Sequence, residues 1–480
     1  MNQASLPVAV IGAGPIGLAA AAHLLTRGET PLVLEAGEGP GYSVRQWAHV
    51  PMFSPWEFNT DRAAVALLAA RGWEHPAKDS IPTGGDLVTR YLEPLAQLPA
   101  LARHIRYGAR VTAVTRKGTD KVRSLGREAQ PFVLRIVQGD GDEETIEAGA
   151  VIDASGTWGA PNPAGADGLP ALGEVAARER IAYGIPDVLG TALQRYAGKK
   201  VIVVGGGHSA LNALIELATL KRDFPATRIL WIMRKANIDA AFGGEAADAL
   251  PARGALGIQG RQLVESGAVQ VFSPFRIARI ARQGKGLAVT GDHGGRERVL
   301  TADETIVATG FRPDLAMLRE MRLTLDPWLE SSGVIGPLID PNLHSCGTVR
   351  PHGAKALAHA EPGFFIIGMK SYGRAPTFLL ATGHEQARSV VAALTGDFEA
   401  AARVELDLPE TGVCSTRPRL AAARTTASCC GGPAPAGSNA CCADDAAVKT
   451  AGETGCGGEA AAPQIEPVGA ASGCCVRPAP

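Results

Sequence analysis

Gly12, Gly14 and Gly17 stand at G-x-G-x-x-G spacing in "GAGPIG", directly after the apolar run "PVAVI". In that spacing the first glycine permits a tight turn, the second lets backbone approach a pyrophosphate, and the third lets helix and strand pack closely. A helix opening behind the loop, with Pro15 inside it, turns free N–H groups and the positive end of its dipole toward phosphate oxygens. A second apolar run, "PLVLE", ends in Glu35, whose carboxylate can accept hydrogen bonds from a ribose diol. A glycine turn with no ligand is the plainer alternative.

The same arrangement recurs later. Gly205, Gly207 and Ala210 lie in "GGGHSA", with His208 and Ser209 between them, after the strand-like "GKKVIVV". Its partner run, "RILWIMRK", ends in Arg234 and Lys235 instead of an acid. An acid would repel a 2′-phosphate, whereas arginine can grip one bidentately, so this unit favours NADPH over NADH. A solvated strand-end charge is the alternative for Arg234, and a solvent-facing loop side chain is the alternative for His208. One acid-ended and one base-ended unit in a single chain point to FAD and NADPH together.

The thiols suggest a different chemistry. Of nine cysteines only Cys346 precedes residue 400, in "HSCGTVRPHG", where His344, Arg350 and His352 flank it. Cys346 reads either as a small buried hydrophobe or as a low-pKa thiolate that holds a soft substrate. The tail carries adjacent pairs, Cys429–Cys430, Cys441–Cys442 and Cys474–Cys475. Neighbouring Cα atoms lie about 3.8 Å apart, below the ~4.4–6.8 Å of an ordinary disulfide. Each pair is therefore expected to remain two free thiols, suited to a thiophilic three-coordinate centre such as As(III). The spacings match no zinc ligand pattern. A low-complexity extension with incidental cysteines is the alternative.

These groups need a scaffold, and the chain supplies an α/β one. Two β–glycine loop–α–β units imply two Rossmann-like dinucleotide-binding domains. "GAVIDASGTW" and "ETIVATGFRPD" end alike and bracket the second unit, as linkers would around an insertion. The expected domains are 1–165 and 303–405 for a discontinuous FAD domain, 166–302 for an inserted NADPH domain, and 406–480 for a tail. After Leu420 there is no Leu, Phe, Trp, Tyr or Met, so that tail is expected to be disordered. A net charge of −1 gives no bulk attraction to nucleic acid or anionic membrane. No basic n-region precedes the first glycine loop and no long apolar run appears elsewhere, so a cytoplasmic protein without membrane spans is expected.

The combination "VIGAGPIGLAAA", "DASGTW", "VVGGGHSALNA" and "ATGFRPD" resembles the flavin-containing monooxygenase superfamily over about residues 7–400. "RQWAHVPMFSPWEFNTD", "PTGGDLVTRYLEPLA" and "GMKSYGRAPTFLLATGHEQAR" are similar to flavin-binding monooxygenases of bacterial arsenic-resistance gene clusters. The resemblance implies a flavin C4a-hydroperoxide that oxidises a soft nucleophile, here a trivalent arsenical, with NADPH and O2 as co-substrates. It also implies Arg45, Trp47, Val111, Ala154, Gly310 and Gly368 as cofactor neighbours, and a helix beginning near Gly383 aimed at the flavin pyrimidine. Asn59 reads either as a hydrogen-bonding group toward the flavin or as a turn-capping asparagine. Lys370 and Arg374 read as charge for an oxyanion product or as solvated loop residues. Two departures stand out: no C-x-x-C occurs, and Gly368-Met369-Lys370 replaces the Gly-Asp of related reductases. The competing functions are oxygenation of an organic amine or thioether, and soft-metal binding with a mere NADPH oxidase activity.

Overall fold

The apolar run Val8–Ile11 forms a strand buried along its whole length, which is the pattern of a parallel strand covered on both faces. It pairs in parallel with Pro31–Leu34 on one side and Ala150–Asp153 on the other. Phe364–Ile366 and Ile105–Arg106 complete a five-stranded sheet at its two edges. Helix Pro15–Thr26 lies against it; Ala19, Ala20, Ala21 and Ala22 are fully buried, and their small side chains allow close approach. The computed structural model describes residues 6–248, 250–342, 351–376 and 378–406. These lie within a compact unit, Met1–Thr416. His344, all nine cysteines, the paired tail thiols among them, and the rest of the expected tail lie outside the described residues.

A second five-stranded parallel sheet runs in the order Gln270–Phe272, Arg228–Ile232, Lys200–Val204, Glu304–Val307, Ile181–Tyr183. The two sheets have the same plan. In each, the strand before the glycine loop is central, and a three-stranded antiparallel meander precedes its neighbour. The meanders are Arg110–Arg116, Phe132–Val137, Glu143–Ala148 and Phe275–Gln283, Gly286–His293, Glu297–Ala302. "AVID" and "ETIV" are equivalent strands of two different sheets, and the residues that follow them carry the chain between the units. The expected boundary at 302/303 moves, because Glu304–Val307 pairs with Lys200–Val204 and belongs to the second unit.

The chain crosses between the units twice, and the crossings are tied together. The Asn162 amide N–H donates to the Gly310 carbonyl at 2.9 Å, and Thr309 Oγ1 donates to the Asn162 carbonyl at 2.8 Å. Arg312 Nε donates to Asn162 Oδ1 at 2.8 Å, and Trp158 stacks on Phe311 at a centroid distance of 4.8 Å. Gly310 therefore serves the crossing, at φ +86°.

A buried charge cluster fixes the first meander to the edge strand. Glu361, just before Phe364–Ile366, accepts from Arg116 Nε at 2.9 Å and from Arg127 Nη2 at 2.9 Å. All three side chains are buried. Burial pushes the Glu361 carboxyl up, but the two guanidinium groups outweigh it and hold the group below the usual range. Glu361→Gln leaves two buried cations without a counter-charge, a loss of about 3–5 kcal/mol. Thermal unfolding should move down by on the order of 5–10 °C; an unchanged midpoint would show that the cluster contributes little.

Candidate functional site

The first glycine loop is built by exclusion of side chains. Gly12 has φ +100°, a left-handed conformation, and a Cβ there would lie 2.9 Å from the Ala154 carbonyl oxygen. A Cβ on Gly17 would lie 1.9 Å from the Gly12 carbonyl oxygen. Gly14 differs, with nothing within 4 Å of the corresponding position. It caps helix Pro15–Thr26 without a side-chain hydrogen bond, so no side chain at the cap satisfies the first-turn N–H groups. A helix start of that kind beside open space suits an anion such as a pyrophosphate. The second loop repeats it. A Cβ on Gly205 would meet the Ala308 carbonyl oxygen at 2.2 Å, Gly207 has open space, and Ala210 is fully buried in helix His208–Asp223.

Both strand-end residues are in place. Glu35 is buried, and its two oxygens accept from the Ala13 N–H at 2.7 Å and the Gly37 N–H at 2.8 Å. The carboxylate thus fixes the loop and retains further lone pairs for a ribose. Arg234 is exposed, with one long contact of 3.4 Å to the Ala166 carbonyl, leaving most of its guanidinium donors available. Val111 is a buried residue at a bulge of the first meander.

Opposite the loops runs a wall made of residues 46–59. Arg45, at its start, donates to the Pro40 carbonyl and to Glu93 Oε1. Trp47 packs on Gly84, where a Cβ would lie 2.6 Å from its ring. Gln46 Oε1 accepts from Trp158 Nε1 at 2.8 Å. Phe53 meets the His208 ring edge-on at 5.0 Å. His208 is therefore half-buried against the first unit, a correction to the solvent-facing alternative, and burial lowers its pKa. Asn59 is fully buried; its Nδ2 donates to the Ser54 and Pro55 carbonyls at 2.6 and 3.0 Å, while Oδ1 accepts from Ser54 Oγ at 2.8 Å. Both amide hydrogens are used within the turn, as the turn-capping alternative requires.

The segment 364–394 closes the edge of the first sheet. The expected helix begins at Leu380, three residues before Gly383, and runs to Leu394. Gly383 is needed inside it, since a Cβ would lie 2.6 Å from Ile16 Cδ1. Gly368, at φ +71°, also faces Ile16, and its N–H donates to Gln386 Oε1 at 2.7 Å. Lys370 is 2% exposed, which removes the solvated reading for that residue; Arg374 is exposed and pairs with Glu330. His352 is buried with its ring 6.0 Å from Tyr372.

One group escaped the sequence reading altogether. His384 is 6% exposed, and neither of its ring nitrogens has a hydrogen-bond partner among the described residues. Burial lowers its pKa to about 4, against the opposing pull of Asp61, so the ring is neutral near pH 7. The available signal was a polar residue on the inner side of a helix that also buries Val390 and Val391.

The wall and the second unit also meet at a titratable contact. His49 Nε2 lies 3.5 Å from Glu216 Oε1, on helix His208–Asp223. Burial pushes the Glu216 carboxyl up to about 7, the Val188 N–H opposes this, and the Asp187 carboxylate adds to it. A carboxyl held above its unfolded value of 4.5 resists ionisation, so its contribution to stability falls as pH rises from about 4.5 through about 7. Glu216→Gln should accordingly raise the melting temperature relative to the parent at pH 8 and change it little at pH 5. An effect equal at both pH values would rule out this titration as the cause.

Among the described residues no helix is long and apolar enough to cross a membrane, and no group of three or more His, Cys, Asp or Glu side chains is arranged to hold a metal. The chain is 27% identical to a ferredoxin–NADP reductase of Saccharopolyspora erythraea over 277 residues, 55% of this chain and 73% of the relative. Its fold matches the bacillithiol disulfide reductase of Bacillus cereus with a TM-score of 0.60 and 18% identity, covering 82% of this chain and 99% of the other. It also matches the cadaverine monooxygenase of desferrioxamine biosynthesis from Erwinia amylovora, solved with FAD, with a TM-score of 0.56 and 14% identity over 88% and 100% of the two chains. The profile of one oxidoreductase family covers residues 9–332, most of the chain and both glycine loops. Its acid-ended first loop fits FAD and its base-ended second loop fits NADPH, and the chain belongs to the pyridine nucleotide-disulphide oxidoreductase family.

Proposed function

We propose that this chain is an NADPH- and O2-dependent flavin monooxygenase that oxidises a trivalent arsenical, arsenite or methylarsenite, to its pentavalent form in the cytoplasm. The observation that carries the reading is a missing part: a disulphide-oxidoreductase fold whose sequence holds no C-x-x-C. Without that dithiol, the C-x-x-C route for electrons from NADPH is missing, which favours another acceptor. The similarity of "RQWAHVPMFSPWEFNTD" and "GMKSYGRAPTFLLATGHEQAR" to monooxygenases of arsenic-resistance clusters favours O2 as that acceptor and a soft nucleophile as the oxygen recipient.

Bound FAD would supply hydride acceptance from NADPH and activation of O2 toward a lone pair. The balance is two electrons from NADPH and two from arsenic, one oxygen atom delivered to arsenic and the other released as water. The chain's own residues bind, orient and exclude water. Gly14 and the first turn of Pro15–Thr26 receive the pyrophosphate, with Gly12, Gly17 and Ala154 shaping the turn and Glu35 the ribose. Gly205, Gly207, His208, Ser209 and Ala210 hold NADPH, with Arg234 on its 2′-phosphate. Arg45 and Trp47 anchor the wall 46–59, and Asn59 holds its turn rigid; the wall keeps bulk water from the space between the two sites. Cys346, with His344 and His352, is assigned the arsenical, and the tail pairs at 429–430, 441–442 and 474–475 its capture, which raises its local concentration.

Arg234→Ala should raise the KM for NADPH about tenfold or more while leaving that for NADH nearly unchanged, since one charge-assisted contact is lost. Equal effects on both nucleotides would remove Arg234 from the phosphate site. The direct assay of function follows NADPH consumption by FAD-loaded protein in air, with and without methylarsenite, alongside arsenic speciation. Methylarsenate formed in step with NADPH, and absent without oxygen, is the expected result. Hydrogen peroxide formed with the arsenical unchanged would leave an NADPH oxidase. Turnover of an amine or thioether unaffected by truncation near residue 410 would shift the substrate class, and ferredoxin reduction without an oxygenated product would replace the monooxygenase reading.

A further inference from the structure

Lys370 is a lysine inside a protein, and the residues around it do not use it fully. Its side chain is 1% exposed, and Nζ lies 2.7 Å from Asp153 Oδ2, whose own side chain is fully buried. Nζ also donates to Ser155 Oγ at 3.1 Å. An ammonium group has three N–H donors; among the described residues one is given to Ser155, while the contact with Asp153 Oδ2 is an ion pair without hydrogen-bond geometry. Asp153 Oδ1 is occupied separately, by the Ser155 N–H at 3.0 Å and Ser155 Oγ at 2.6 Å. A buried ion pair is costly unless its remaining hydrogen-bonding capacity is met.

The position of the pair in the sheet says what could meet it. Strands Val8–Ile11, Ala150–Asp153 and Phe364–Ile366 are parallel and in register, with Ile11 level with Asp153 and Asp153 level with Ile366. Ligands of such sheets lie across the carboxyl ends of the strands. The phosphate loop follows Val8–Ile11, and Glu35 follows Pro31–Leu34, on one side of it. If one half of the dinucleotide has its ribose at Glu35, the other half must extend the opposite way, over the ends of Ala150–Asp153 and Phe364–Ile366. Lys370 and Asp153 stand there. The turn Gly368–Tyr372 that carries Lys370 is pressed on Ile16, in the first turn of the phosphate-facing helix.

We propose that Lys370 is a cofactor-contacting residue, of which a remaining N–H donates to an oxygen acceptor on the flavin half of FAD and whose charge, balanced by Asp153, sets the flavin's reduction potential. The assignment rests on FAD occupying the first unit and not on the identity of the oxygenated substrate. A cation beside the flavin favours the reduced form, which carries the greater negative charge, and a buried carboxylate disfavours it.

Lys370→Met and Asp153→Asn should therefore act in opposite senses. The first removes the cation and leaves the anion, and the midpoint potential of bound FAD should become more negative. The second leaves the cation alone, and the potential should become more positive. A purely structural pair predicts that both variants melt earlier and that neither potential moves; that result, or shifts of the same sign, overturns the proposal. Lys370→Met should also weaken FAD binding by about tenfold or more, the effect of losing one charge-assisted hydrogen bond. Should either single variant fail to fold, K370M/D153N leaves no unpaired charge and carries the test through FAD affinity. Binding weakened tenfold supports the contact, and parental affinity overturns it. Potentials are read by anaerobic dye-coupled reduction and affinity by flavin fluorescence, neither with an oxygen acceptor present, so failure of the arsenical reading leaves these results intact.

Discussion

Three stretches of backbone converge where no side chain can stand, and the rest of the first unit is arranged around that convergence. The Gly12 carbonyl occupies the space a Cβ on residue 17 would need, and the Ala154 carbonyl crowds Gly12 from the neighbouring strand. Helix, loop and two strands are thereby locked together, with Gly14 left facing open volume. The second unit meets the same constraint with Gly205 against the Ala308 carbonyl. Steric exclusion requires glycine at Gly12, Gly17 and Gly205, and the second loop relaxes it only at its third position, Ala210. Everything that would position a dinucleotide, from the free N–H groups to Glu35 and Arg234, takes its place from these contacts.

Polar groups in the interior mark where the scaffold has been specialised. Glu361 neutralises two buried arginines and pins a meander to the edge strand, a structural use of charge. Lys370 and Asp153 are equally buried but lie at the carboxyl ends of the strands, where ligands of this fold are held. The same interaction type therefore serves stability at one end of the edge strand and cofactor placement at the other. His384 stands apart from both, buried near Asp61 and His23 on the helix that closes the sheet edge.

The two dinucleotide units communicate through a narrow set of contacts. The tied crossings at Asn162 and Gly310 restrain how the units can separate. The wall 46–59 touches the second unit through Phe53 and His49, and the crossing through Gln46 on Trp158. Under the proposed function, this wall would limit the access of water to the space between the two sites. Because Glu216 ionises near neutrality, the contact at His49 changes character within the ordinary pH range.

Much of this was legible from sequence because it depends on residue type at fixed spacing. The two glycine loops, Glu35 and Arg234 as strand-end residues, the α/β class and the absence of a C-x-x-C dithiol are all local facts. Sequence order misled where pairing is long-range. "ETIV" reads as a return to the first domain, yet its strand completes the second sheet because its apolar faces are buried beside Lys200–Val204. Asn59 has the same identity in either of its readings, and only the fold shows both amide hydrogens turned to its own loop. Lys370 looks like a solvated loop charge, because burial is a property of what packs around a residue and not of the residue itself. Spacing determined which groups could do chemistry; tertiary packing decided which of them are desolvated, and desolvation is what turns a charge into an instrument of binding.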